Sequence, residues 1–145
     1  MTPIVIEPSV ALKWYTPEVY SEECLSLIER NVSILVPDAL FAQVGTALWK
    51  RVRANELKPD VARQIASNLR RLPLTRVPAE VLMKDALEIS TLTSRSFQEG
   101  LYFALAIRND TKLVTADRRW HNLVSTGPMK PYLAFITEVC PTTTA

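Results

Sequence analysis

The chain has 145 residues, of which 48% are hydrophobic and 22% are charged, a size and composition typical of one globular domain. Seventeen lysines and arginines face 15 aspartates and glutamates, and the formal net charge of +2 excludes binding to nucleic acid by bulk positive charge. Three glycines leave almost nothing for a phosphate-binding glycine loop, and one histidine without a CxxC pair excludes an ordinary zinc site.

Five short apolar runs alternate with longer segments of helical periodicity, the pattern of repeated βαβ units. Several runs are β-branched and apolar at every position, which predicts strands buried on both faces of a parallel sheet. The predicted strands are Ile4–Ile6, Ile34–Val36, Leu74–Val77, Leu113–Thr115 and Leu133–Ile136.

The segments between the runs carry helix start signals. Pro37 and Asp38 precede one helical pattern, with Asp38 the predicted cap, and Ser96 is the predicted cap of a later helix. Together these elements predict an α/β fold, a three-layer α/β/α sandwich with a central, mostly parallel sheet. We expect one domain over residues 1–140 and a flexible polar tail over residues 141–145.

The cysteine content and the hydropathy of the sequence indicate the cellular compartment of the protein. Cys24 and Cys140 are too few for a disulfide framework, and we interpret them as free thiols. The start of the chain lacks the basic segment of a signal peptide, and no stretch approaches the ~20 apolar residues of a membrane span. We therefore expect a cytoplasmic protein without a membrane partner.

Oxygen-bearing side chains follow the predicted strands. Glu7 comes directly after the first strand, and Asp117 follows the fourth after one small residue. Gln43 lies in the first turns of the helix after Pro37, and Glu99 lies near the start of its helix. Because ligands of open α/β sheets bind beyond the carboxyl ends of the strands, these four side chains are candidates for one shared site.

Clustered carboxylates repel one another unless they are protonated or bind a cation. Oxygen ligands favour hard cations, so Mg²⁺ or Mn²⁺ is the predicted cofactor, bound near a phosphodiester. The alternative is that each acid is a solvated loop residue or a helix cap.

Four segments resemble, in order and at the right distances, blocks of the PIN-domain family in its VapC-type toxin branch. They are VIEPSVALKWYTPE, VPDALFAQVGTALWKRVRANEL, SFQEGLYFALA and LVTADRRW, and the similarity runs from Ile4 to about Val139. The resemblance implies a metal-dependent endoribonuclease with catalytic Glu7, Glu99 and Asp117, metal ligands at these residues and Gln43, and supporting hydroxyls at Ser9 and Thr115.

The four candidate site residues, Glu7, Gln43, Glu99 and Asp117, are called the quartet below. They depart from the family pattern at three positions. Glu7 and Glu99 stand where aspartates are usual, and Gln43 stands where a glutamate is usual; only Asp117 matches. The longer side chains displace the carboxylates by more than about 1 Å, which strict Mg²⁺ geometry tolerates poorly, and the amide removes one charge.

The resemblance implies a single-stranded RNA substrate, a small VapB-like antitoxin partner and a homodimer. The departures at the quartet leave two expectations open, a working ribonuclease and one with weakened activity. The alternative function is a catalytically silent PIN-like module that binds RNA or a protein partner.

Several cations have more than one interpretation. Arg118 and Arg119, beside Asp117, are candidate phosphate ligands or partners of neighbouring acids. Lys13 either contacts phosphate or extends a buried stem to the surface. The segment from Trp49 to Arg53 forms either an RNA-binding strip or, as we prefer, a solvated helix end with Trp49 packed inward.

Overall fold

The computed structural model describes residues 2–141, which form five strands and eight α-helices. The strands are β1 (Ile4–Ile6), β2 (Ile34–Pro37), β3 (Thr75–Val77), β4 (Leu113–Thr115) and β5 (Leu133–Phe135). The helices are α1 (Pro8–Lys13), α2 (Ser21–Glu29), α3 (Ala39–Arg53), α4 (Pro59–Arg71), α5 (Ala79–Thr93), α6 (Phe97–Arg108), α7 (Arg118–Val124) and α8 (Ile136–Val139), with a short 3-10 helix at Lys130–Tyr132. In the predicted tail, residues 142–145 lie outside the described part.

The strands form one sheet in the order β3-β2-β1-β4-β5, and every neighbouring pair is parallel. The predicted three-layer α/β/α sandwich is confirmed. Strands β2, β4 and β5 are fully buried, as their apolar sequences indicate. Strand β3 lies at the edge, and its first two residues, Thr75 and Arg76, are exposed. The order of the strands brings the ends of β1 and β4 side by side.

Helix α6 lies at the centre of the packing. Residues 100–106 are all buried, and Phe103 is among the largest fully buried side chains. Gly100 permits a close approach to α5, because a Cβ at position 100 would lie 2.6 Å from the Ala86 carbonyl oxygen. This approach fixes the start of α6, which carries Glu99, against a neighbouring helix.

The predicted helix caps divide into one that is confirmed and one that is wrong. Ser96 caps α6, since its Oγ accepts from the Glu99 amide at 3.1 Å. Asp38 does not cap α3, because its own backbone is already helical, whereas an N-cap residue normally has extended backbone angles. The Asp38 carboxylate accepts from the Ala79 amide at 2.9 Å instead, at the start of α5.

Other predictions concern the surface and the thiols. Cys24 and Cys140 are free and buried, as predicted. Trp49 is not packed inward: 55% of its surface is exposed, and the Arg53 guanidinium lies 4.8 Å from its ring centre. Among residues 2–141, no helix combines the length and the apolar character that crossing a membrane requires.

Candidate active site

A cavity of about 340 Å³ opens at the carboxyl edge of the sheet, and all four residues of the predicted quartet line it. Its walls come from the ends of β1 and β4, from α3 and from the start of α6. The lining side chains are Glu7, Pro8, Gln43, Arg95, Ser96, Gln98, Glu99, Tyr102, Leu113, Asp117 and Trp120. Residues distant in the sequence therefore meet because the parallel strands end at the same edge.

Glu7 is a half-buried acid directly after β1. It caps α1, and its Oε1 accepts hydrogen bonds from the Ser9 amide at 3.2 Å, the Ser9 hydroxyl and the Thr115 hydroxyl at 2.8 Å. Burial raises the pKa of Glu7, an effect that these hydrogen bonds reduce and the charge of Asp117 increases. The two predicted hydroxyl residues thus contact the same carboxylate oxygen.

Asp117 is the exposed acid at the rim. Its Oδ1 accepts from the Trp120 amide at 3.0 Å and caps α7, while its own amide donates to the Thr115 hydroxyl at 3.0 Å. Thr115 therefore connects the backbone of Asp117 to the side chain of Glu7. This connection fixes the relative position of two acids that come from neighbouring strands.

Glu99 accepts four hydrogen bonds within the protein. Its Oε1 accepts from Arg95 Nε at 3.1 Å, Arg95 Nη2 at 2.9 Å and Trp120 Nε1 at 2.5 Å, and its Oε2 accepts from the Ser96 amide at 3.0 Å. Burial alone would raise the pKa of Glu99, but these hydrogen bonds outweigh it and hold the pKa below the ordinary value. Since a carboxylate has about four lone-pair positions, little capacity remains for a metal ion.

Gln43 is held by its neighbours at both ends of its amide. Tyr102 donates its hydroxyl hydrogen to Oε1, and Nε2 donates to Gln98 Oε1 at 2.9 Å. Burial raises the pKa of Tyr102, with a smaller contribution from the charge of Glu7, so this phenol remains a neutral donor. Gln43 brings an oxygen to the cavity but no charge.

The donor set fits a cation bound by two acids and does not fit one bound by three. Among residues 2–141, no three His, Cys, Asp or Glu side chains form a group that could hold a metal ion. Magnesium, however, commonly binds through one or two carboxylates, with water and substrate phosphate completing its coordination. Glu7 and Asp117 supply two carboxylates to the cavity, whereas Glu99 is paired with Arg95.

Sequence reasoning did not find Arg95 and Trp120, which donate hydrogen bonds to Glu99, or Tyr102, which donates to Gln43. The spacing of Arg95 and Glu99, four residues apart around the Ser96 cap, was an available signal for an ion pair. Of the two candidate phosphate ligands, Arg118 lies over the Phe135 ring, 3.5 Å from its centre, and Arg119 is exposed.

Comparisons with known proteins agree with this architecture. The PIN domain family model matches residues 4–124. Ribonuclease VapC3 of Pyrobaculum aerophilum is 28% identical over 120 residues, which are 80% of this chain and 90% of that protein.

Solved structures show the same fold at low identity. The crystal structure of PAE2754 from Pyrobaculum aerophilum has a TM-score of 0.65 at 16% identity and covers 96% of this chain and 87% of its own. Mycobacterium tuberculosis VapC20, a sarcin-ricin loop cleaving toxin, has a TM-score of 0.63 at 12% identity, covering 83% of this chain and 95% of its own. VapBC2 from Rickettsia felis, bound to a DNA fragment from its promoter, has a TM-score of 0.57 at 12% identity, covering 91% and 97%.

Proposed function

Because the chain belongs to the PIN-domain family, we propose that it is a ribonuclease of the VapC toxin type that cleaves single-stranded RNA. The observation that carries the proposal is the pair of acids, Glu7 and Asp117, fixed through Thr115 in one cavity. The relative named Ribonuclease VapC3, matched over most of both chains, supports the same activity.

We assign the binding of one divalent cation, Mg²⁺ or Mn²⁺, to Glu7 and Asp117, with the amide oxygen of Gln43 as a weak third contact. Such a cation, when bound, withdraws charge from a phosphodiester and promotes the ionisation of water. Catalysis is then assigned to Glu7 and Asp117, while Glu99 stabilises the start of α6 and the position of Trp120.

The chain's own residues prepare this site by holding the acids in place. The hydroxyls of Ser9 and Thr115 donate to one oxygen of Glu7, which fixes the orientation of the carboxylate. Arg95 lies in the same cavity and brings a positive charge to an otherwise acidic wall. That charge favours a phosphate group and disfavours a second metal ion, so we expect slow cleavage with one cation bound.

The test is RNA cleavage in Mn²⁺ by the parent and by Asp117→Asn. Asparagine caps a helix as well as aspartate does, so the variant removes the charge and keeps the cap of α7. Altering residues that merely support a metal costs ~10–100-fold, so losing this ligand should reduce the cleavage rate by about 100-fold or more.

The matched control is Asp110→Asn. Asp110 is exposed beyond the other end of α6, and its φ of 48° is a conformation that asparagine tolerates. The control should cleave at the parent rate, and EDTA should stop cleavage by both proteins. Equal cleavage by Asp117→Asn and the parent would show that the activity belongs to a contaminant and would contradict the proposal.

A catalytically silent PIN-like binding module is the second candidate. The neutral amide at Gln43 and the hydrogen-bonded carboxylate of Glu99 favour it. In that case the parent cleaves no RNA in Mn²⁺, and the triple change Glu7→Asp, Gln43→Glu and Glu99→Asp creates activity. A parent that cleaves at a rate comparable to the triple variant contradicts the silent module.

For partners, we propose a small VapB-like antitoxin, a homodimer and a cytoplasmic location. The exposed apolar side chains of α5, which include Met83 and Leu87 at about half exposure, support a protein-binding face. The neighbour from Rickettsia felis, a VapBC complex, is consistent with this proposal. We also propose that residues 1–140 form one domain, followed by a tail over residues 141–145.

A further inference from the structure

A second cavity, of about 310 Å³, lies beside the first and shares Asp117 with it. The charged side chains that line it are three cations, Lys13, Arg51 and Arg118, and two acids, Glu18 and Asp117. The cations come from α1, α3 and α7, so the fold itself brings them together. The wall between the cavities carries Asp117 and, on the second side, Ser9.

Glu18 neutralises two of these cations at once. Lys13 Nζ lies 3.1 Å from Glu18 Oε2, and Arg51 Nη2 lies 3.1 Å from Glu18 Oε1. The cationic side chains are only 14% and 23% exposed, whereas Glu18 is 37% exposed, in the loop between α1 and α2. The cations are therefore held in place, and their counter-ion is the more accessible member of the network.

Arg118 completes the positive surface of this cavity. Its guanidinium lies 3.5 Å from the ring centre of Phe135, a fully buried side chain. Stacking on an aromatic ring holds a guanidinium without using its hydrogen-bond donors, which remain for an anion. A single acid shared by two cations, with a third cation beside them, is an arrangement that a phosphate can enter by replacing the acid.

We propose that this second cavity binds a backbone phosphate of a single-stranded nucleic acid, with Lys13, Arg51 and Arg118 as its ligands in place of Glu18. The inference rests on the proposed ribonuclease function, because the shared Asp117 would then place the neighbouring phosphodiester at the acidic cavity. Phosphate contacts of this kind position a strand and carry no sequence preference.

The test is binding of a fluorescently labelled single-stranded RNA, measured by anisotropy in EDTA so that no cleavage occurs. Lys13→Gln and Arg51→Gln should each weaken binding by about 3–10-fold and reduce the salt slope by ~0.7 per lost contact. Lys13→Arg keeps the charge and should bind like the parent. Glu18→Gln removes the competing acid and should bind more tightly than the parent.

Arg53→Gln is the matched control, because Arg53 lies on the same helix as Arg51 but stacks over the exposed Trp49. It should bind RNA like the parent. A loss of binding with Arg53→Gln and none with Arg51→Gln would place the strand on the Trp49–Arg53 segment and overturn the inference. Weaker binding by a folded Glu18→Gln would also overturn it, since the network would then be structural.

A DNA strand of the same sequence separates the phosphate from the sugar. The same losses are expected on DNA and RNA, because both carry the phosphodiester; losses on RNA alone would assign the contact to the 2′-hydroxyl and overturn the phosphate site. Cleavage in Mn²⁺ is measured separately. If the parent cleaves RNA and the Lys13 and Arg51 variants bind RNA like the parent, only the phosphate site is refuted. If the variants bind as predicted and the parent does not cleave RNA, only the ribonuclease function is refuted.

Discussion

Substitution of Gly100 by alanine tests the close packing that fixes the start of α6 and, with it, Glu99. A Cβ at position 100 would lie 2.6 Å from the Ala86 carbonyl oxygen and 2.6 Å from Ser90 Oγ, closer than atoms that are not hydrogen-bonded can approach. The Ala86 oxygen belongs to the backbone of α5 and cannot rotate away. Ser90 Oγ donates to the Ser96 carbonyl at 2.9 Å, so moving Ser90 breaks a contact between the two helices.

The expected magnitude follows from two opposing effects. Overpacking costs about 1–3 kcal/mol, and the better helix propensity of alanine returns about 1 kcal/mol. We therefore expect Gly100→Ala to lower the free energy of unfolding by up to about 2 kcal/mol, the range that remains between those effects. For a domain of this size the corresponding decrease in Tm is up to ~8 °C.

Gly45→Ala is the matched control, since Gly45 lies in the interior of α3 and a Cβ there would meet nothing within 4 Å. Alanine should raise the free energy of unfolding by about 0.5–1 kcal/mol. Both variants are measured by urea and thermal unfolding, followed by circular dichroism. A Gly100→Ala protein as stable as Gly45→Ala would refute the inferred contact between α5 and α6.

Three further changes test other parts of the site and the core. Arg95→Gln releases the Glu99 carboxylate and removes a positive charge near the proposed metal site, so Mn²⁺ should bind ~10-fold more tightly or better in calorimetry. An unchanged affinity for Mn²⁺ would contradict the Arg95–Glu99 pairing. Burial raises the pKa of Cys24 to about 12, so its thiol stays protonated at pH 8. Mass spectrometry should therefore find Cys24 unlabelled by iodoacetamide until the chain unfolds. Thr115→Val removes the hydrogen bond that the buried Thr115 hydroxyl donates to Glu7 and should cost about 1–3 kcal/mol of unfolding free energy in urea titrations, whereas a neutral effect would contradict that contact.

The sheet was predictable because buried parallel strands have a distinctive sequence. The β4 segment is fully buried, and it was recognisable from its uninterrupted apolar run. The position of Asp117 followed from the end of that strand. Strand β3 was less distinctive, since Thr75 and Arg76 are exposed at the sheet edge, and its predicted start at Leu74 was one residue early. The ends of the strands therefore predicted where the cavity lies, although the other residues that line it were not predicted.

Partners of side chains were not predictable in the same way. Asp38 had the right residue type and place for a cap of α3, but its helical backbone directs its carboxylate to the start of α5, 41 residues along the chain. The indole of Trp120 donates to Glu99 across 21 residues of sequence. Such contacts depend on how α6 and α7 pack against each other, and the sequence pattern of either helix alone does not specify that packing.

The three acids of the quartet each contribute to a helix start, which is the alternative interpretation that the sequence offered for them. Glu7 caps α1, Asp117 caps α7, and Glu99 completes the capping box of α6, while all three line one cavity. A silent protein would need these acids for its helices as well, so their capping contacts agree with both functions, whereas the meeting of Glu7 and Asp117 in one cavity supports the ribonuclease. Gln43 and Arg95 cap no helix. Their effect on the charge of the cavity is therefore what separates a ribonuclease from a binding module.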